Sequence, residues 1–117
     1  MIWISVALGG ALGALGRFAI AQQVKGVAGT LVANGVGCLL MGCLVGFLST
    51  RAPVSEAVRP FLLTGVLGAL TTYSTFSLET LQLWQSGRAL MAVAYAMGTL
   101  LLSLLACALG LWMTRSI

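Results

Sequence analysis

The sequence predicts an all-α integral membrane protein of four transmembrane helices with a broken third helix, paired as an antiparallel, dual-topology homodimer. Three observations predict it: an apolar composition laid out in four long runs, a hydroxyl-rich interruption in the third run, and an even division of positive charge. Of 117 residues, 60% are hydrophobic and 7% charged, against roughly 45–50% and 25% in an ordinary soluble domain. Hydrocarbon, not water, is the main solvent for such a chain.

The runs cover residues 2–21, 27–48, 58–84 and 89–113, each matched to a bilayer core that takes about 20 apolar residues per helix. Together they make one membrane domain over 1–117 with almost nothing left for a soluble one. Trp3, Trp84 and Trp112 fall at run ends, where an amphipathic indole prefers the headgroup level. Ala19-Ile20-Ala21 has the form of a signal-peptide cleavage site, but no Lys or Arg precedes the first run, so the run reads as a retained span. The net charge is +4, six basic residues against two acidic; the basic ones are scattered, form no stripe for nucleic acid and suit lipid headgroups instead. Cys38, Cys43 and Cys107 show no CxxC spacing; Cys38 and Cys43 stand about 140° apart around a helix. They read as small packing residues, neither zinc ligands nor a disulfide.

Short connections predict consecutive spans as antiparallel neighbours in one compact unit. Arg51, Arg59 and Arg115 then share one side of the membrane, and Arg17, Lys25 and Arg88 the other. An even split gives the positive-inside rule little to act on, so the chain is expected to insert both ways and pair head to tail. Gly9 with Gly13, and Gly42 with Gly46, form small-xxx-small pairs that allow close helix approach. The run Gly10, Gly13, Gly16 lacks both the spacing and the preceding strand of a phosphate loop.

Unpaired polar groups at membrane depth cost several kcal/mol each, so those that occur are informative. Thr71-Thr72-Tyr73-Ser74-Thr75-Phe76-Ser77, preceded by Gly65 and Gly68, interrupts the third run. Serine and threonine bonding back to their own helix would account for one or two of these hydroxyls. Six in seven residues instead predict a helix that unwinds, freeing carbonyls for a cation and half-helix ends for an ion. Asn34 lies in the second run with Thr30 one turn earlier; its amide serves either as interhelical glue or as a donor to an anion. Tyr95, Thr99 and Ser103 follow at i, i+4, i+8, each about 40° from the last, a hydroxyl stripe on the fourth helix. Arg17 and Glu79, near run ends, either snorkel to the interface or, with Thr30, belong to the anion pathway, where Arg17 would attract or hold an anion at a vestibule.

Taken together, Gly9-Gly10-x-x-Gly13-Ala14-x-x-Arg17, Gly29-Thr30-Leu31-x-x-Asn34 and Gly65-x-x-Gly68-x-x-Thr71-Thr72-Tyr73-Ser74-Thr75-Phe76-Ser77-x-Glu79 resemble the small fluoride channel family, called Fluc or CrcB, over essentially the whole chain. The resemblance implies a dual-topology homodimer with two fluoride pathways near the subunit interface. It implies a structural sodium ion at that interface, held by the backbone carbonyls of Gly68 and Thr71 from both copies. It places Tyr73 and Phe76 with their ring edges toward fluoride, Asn34 as their partner, Ser74 and Thr75 beside them, and Tyr95, Thr99 and Ser103 on a polar track. Two positions depart from the family pattern: Tyr73, where Phe is usual, and Ala69, where a second glycine often follows Gly68. Fluoride is small and strongly hydrated, and amide, hydroxyl and aromatic-edge donors are the groups that replace its water.

The resemblance implies passive fluoride export across the inner (plasma) membrane, with fluoride, lipid and a second copy as partners and fluoride resistance as the outcome. The alternative is a small proton-coupled multidrug exporter, which needs a carboxylate in its first helix. Glu56, in a loop, and Glu79, late in the third run, are the chain's only carboxylates. With no histidine, no paired carboxylates and no activated nucleophile, the sequence gives no sign of an enzyme.

Overall fold

A computed structural model describes residues 1–51 and 53–115; residues 52, 116 and 117, all within the domain read from the sequence, lie outside the described residues. Among the described residues, four helical spans are long and apolar enough to cross a membrane. The first is α1 (Ile2–Gln23) and the second α2 (Val27–Thr50). In the third, α3 (Val58–Pro60) leads into a π-helix over Phe61–Leu67, then α4 (Gly68–Leu70) and α5 (Ser74–Gln85). The fourth is α6 (Ala89–Arg115). Helices begin with the apolar runs and continue a residue or two past them, because terminal turns extend into the interfacial layer. Gly26 (φ 73°) and Gly87 (φ 81°) turn the chain between α1 and α2 and between α5 and α6, in the left-handed region where only glycine is free of a Cβ penalty.

The packing departs from the sequence expectation. Consecutive spans touch lightly, and the main partners are two spans apart: α1 lies along the π-helix and α4, and α2 lies along α6. Both pairs run parallel. Gly9 faces Phe61 and Gly65, Gly13 faces Val66 and Ala69, and Gly16 faces Leu70, so the two elements advance together. Likewise Gly42 faces Cys107 and Leu111, and Gly46 faces Leu111 and Thr114.

Glycine explains the choice of partner. Lipid tails provide no hydrophobic reason to prefer one helix over another, so close backbone packing decides. A Cβ on Gly65 would stand 2.9 Å from the Gly9 Cα, and one on Gly110 would stand 2.7 Å from the Cys43 nitrogen. Short loops guarantee proximity in sequence, not complementary surfaces. The apolar interior is correspondingly small, with Ala33, Leu67, Leu70, Ala92 and Tyr95 buried, while Leu8, Leu12, Leu15, Leu104 and Leu105 face outward. Such outward leucines belong in hydrocarbon.

Candidate functional site: a groove at the interruption of the third span

Between Leu70 and Ser74 the third span leaves helical geometry. Thr71 is extended (φ −80°, ψ 155°), and α5 starts again at Ser74. The hydrogen bonds show what replaces the helix. In an unbroken helix the Thr72 N–H would reach back four residues to the Gly68 carbonyl. Here it donates to Asn34 Oδ1 at 2.8 Å, and Asn34 Nδ2 donates to the Thr72 carbonyl at 3.0 Å. The Thr75 N–H, owed to the Thr71 carbonyl, donates instead to Thr72 Oγ1 at 3.2 Å. Both substitutions release a carbonyl from its helical donor, and the released carbonyls belong to Gly68 and Thr71.

Asn34 is buried, 8% exposed, and Gly37, one turn on, lies so close to Thr71 that a Cβ there would collide with its side chain. This contact seats α2 directly against the interruption. Thr71 and Ser77 return their hydroxyls to the carbonyls of Leu67 and Tyr73. Thr72 bonds with Ser74, and Tyr73 is 81% exposed. Back-bonding thus accounts for two of the six hydroxyls, and the cap on Thr75 for a third.

Arg17 reaches across from α1. Its Nε donates to the Ala69 carbonyl at 3.1 Å and its Nη1 to Thr75 Oγ1 at 3.5 Å. A cation on a carbonyl at the end of α4 is favourably placed in the dipole field, as at any helix C-terminus. The guanidinium therefore straddles the interruption. Thr30 donates to Glu79 Oε1, joining α2 to α5.

A groove of about 620 Å³ opens beside this region, lined by Asn34, Gly68, Thr71, Tyr73, Phe76, Thr99 and Ser103 among others. Phe76 sits between two tyrosines, its ring centroid 5.7 Å from Tyr73 and 5.4 Å from Tyr95, each tilted by 57°. Edge-to-face tilts of this kind are favoured by the ring quadrupole. Tyr95 Oη and Thr99 Oγ1 are buried and have no hydrogen-bond partner among the described residues, although a buried hydroxyl ordinarily finds one.

The structure thus brings seven of the sequence-predicted residues into one groove. Tyr95 joins them through Phe76, Arg17 and Thr75 lie behind the interruption, Ser74 contacts Thr72, and Thr30 with Glu79 forms a separate link. Sequence reasoning left out Thr72, whose backbone and side chain hold the interruption together, and Cys38 and Met97, which also line the groove. Thr72 was in view within the hydroxyl run, and Cys38 stands one turn from Asn34, which puts it on the same face. Met97 had no signal, since methionine in an apolar span is ordinary.

A bundle of four apolar helices with buried polar groups around an interrupted span is the architecture of a small multi-pass membrane transport protein. Residues 4–111 match the family model described as CrcB-like protein, Camphor Resistance (CrcB), and the chain belongs to that family. It is 38% identical to the fluoride-specific ion channel FluC of Saccharophagus degradans over 122 residues, covering 100% of this chain and 92% of that one. Similarity to the protein of the same name from Paracoccus denitrificans is 41% over 120 residues, covering 98% and 95%. With that of Magnetococcus marinus it is 44% over 118 residues, covering 96% of each. These names describe channels, not enzymes.

Proposed function

We propose that the chain is a fluoride-selective channel of the plasma membrane, letting cytoplasmic fluoride escape passively and so conferring resistance to it. The observation that carries the proposal is the groove, where the Thr99 hydroxyl lacks a partner and the tilted rings of Tyr73 and Phe76 lie beside Asn34. Asn34 spends one amide hydrogen on Thr72 and keeps the other for an anion. Fluoride leaving water needs a succession of such donors, and Ser103 and Thr99 extend the series along α6. Tyr95 packs against Phe76 and holds its ring. Arg17 and Thr75 fix the two ends of the interruption, and the Thr30 to Glu79 link keeps α5 on α2.

The functional unit in this reading is an antiparallel homodimer with a sodium ion at its interface. Two carbonyls released from helical bonding, those of Gly68 and Thr71, are hard, neutral oxygen donors suited to such a cation, and a second copy would double them. Bound there, sodium would supply a fixed positive charge near the anion path. The remaining work belongs to this chain's own groups: Asn34 and Arg17 hold the interruption open, and the groove hydroxyls and ring edges replace the water of the anion.

Purified protein reconstituted into liposomes should release fluoride down its gradient without a proton gradient. Asn34→Ala and Phe76→Ile should each abolish most of that flux while leaving dimers intact by size-exclusion chromatography. Normal flux in both variants, or flux that requires a proton gradient, would overturn the reading.

A further inference from the structure

Two carbonyls leave helical bonding at the interruption, and different groups release them. The Asn34 amide oxygen takes the Thr72 N–H and so frees the Gly68 carbonyl. The Thr72 hydroxyl takes the Thr75 N–H at 3.2 Å and so frees the Thr71 carbonyl. Neighbouring hydroxyls behave otherwise: Thr71, Ser77 and Thr80 donate back to carbonyls four residues earlier. Among the described residues, Thr72 is the one hydroxyl of the run that accepts a backbone N–H. A side-chain oxygen accepting from the N–H three residues on is the geometry of a helix N-cap, here at the start of α5. Asn34 Oδ1 accepts the N–H of the cap residue itself, the part that Glu or Gln plays in a capping box. Thr75 is also held from its other side, where its Oγ1 accepts from Arg17 Nη1 at 3.5 Å.

We propose that Thr72 is a positioning residue for the cation: its hydroxyl keeps the Thr75 N–H off the Thr71 carbonyl and so leaves that oxygen for the ion. Its bearing on sodium rests on the channel reading; its hold on the carbonyl does not. Valine at this position has the same shape and branch but no acceptor. In Thr72→Val the Thr75 N–H loses its partner, and the Thr71 carbonyl is the acceptor that helical continuation offers it. Serine keeps the oxygen and therefore the cap. A carbonyl that must be won back from an N–H binds a cation more weakly, by about fivefold for a cap of ordinary strength. A cap with a structural role alone would weaken the fold and leave sodium affinity untouched.

The test uses the purified full chain, prepared with N-methylglucamine in place of sodium. Sodium chloride is titrated against melting temperature, with fluoride efflux from liposomes measured alongside. A carbon-13 label on the Thr71 carbonyl lets infrared spectroscopy read that one group, whose band falls in frequency when it accepts a hydrogen bond. The wild type should gain melting temperature with sodium and show the band of a carbonyl without an N–H donor. Thr72→Val should need about fivefold more sodium for the same gain, show a lowered Thr71 band before sodium is added, and regain flux along its own sodium curve. Thr72→Ser should match the wild type in all three. A lower melting temperature in Thr72→Val with unchanged sodium dependence would reduce Thr72 to a structural cap and overturn the proposal, as would a hydrogen-bonded Thr71 band in the wild type. Should Thr72→Val fail to fold, Thr72→Ala removes the same oxygen with less bulk, and the wild-type band is independent of both. Indifference of the wild type to sodium would count against the cation reading alone, because the Thr71 band is read without sodium.

Discussion

Asn34 is held by two hydrogen bonds to a single backbone unit, that of Thr72, and its replacement has consequences that depend on which bond is kept. Alanine strands both the N–H and the carbonyl, at about 1–3 kcal/mol for each buried group left unpaired. Aspartate keeps an acceptor for the Thr72 N–H but turns a second oxygen toward the Thr72 carbonyl, so Asn34→Asp should lower thermal stability in detergent as well as flux. Arg17 poses a related question, since its guanidinium donates from two nitrogens to groups on either side of the interruption. Lysine keeps the charge and loses the fork. Arg17→Lys should therefore retain a folded chain by size-exclusion chromatography yet conduct fluoride at a reduced rate, whereas equal flux would assign Arg17 to charge alone. The sequence made the polar residues legible because lipid penalises every one of them. It left their partners illegible: Asn34 read as glue or as donor with no partner in sight until the structure placed Thr72 opposite it, and nothing in the spacing of Arg17 pointed to Ala69. Contacts between residues 38 or 52 positions apart arise from packing, which no local pattern encodes.

Helical elements meet through glycine, and the two kinds of glycine in the chain should respond differently to alanine. At Gly110 an added Cβ would stand 2.7 Å from the Cys43 nitrogen, and at Gly13 it would stand 2.9 Å from the Val66 carbonyl carbon. Backbone cannot yield as a flexible side chain does, so Gly110→Ala and Gly13→Ala should separate their helix pairs and yield aggregated protein. Gly10 and Gly98 have no atom within 4 Å of the added carbon. Alanine there should be tolerated, with a gain of up to about 1 kcal/mol from helix propensity, read as unchanged or raised melting temperature in detergent. The spans themselves were legible to within a residue or two, since length and hydropathy are local properties. Their partners were not: the small-xxx-small pairs at Gly9 and Gly42 announced close contacts without saying with which helix. The π-helix over Phe61–Leu67 likewise left no mark in the sequence, because its residues are as apolar as any helix of that span.

At the scale of the whole molecule, the even division of basic residues favours neither orientation. Replacing Lys25 and Arg88 by glutamine leaves three basic residues on one side against one on the other. That variant should place a C-terminal tag almost wholly in the cytoplasm, while the unaltered chain shows it on both sides; cellular fluoride export should fall if head-to-tail pairs are required. A tag found on one side only in the unaltered chain would refute dual insertion. The parallel pairing of helices two spans apart also bears on assembly during synthesis. When α1 enters the membrane its partner has not yet been made, and α2 waits in turn for α6, so each glycine face stays uncovered while the intervening span is threaded. Neither pair forms early, and α6 arrives last. A chain cut short after α5 would therefore lose more than one helix: α2 would have no partner, and Phe76 would lose the Tyr95 ring that backs it, leaving a groove with a single wall.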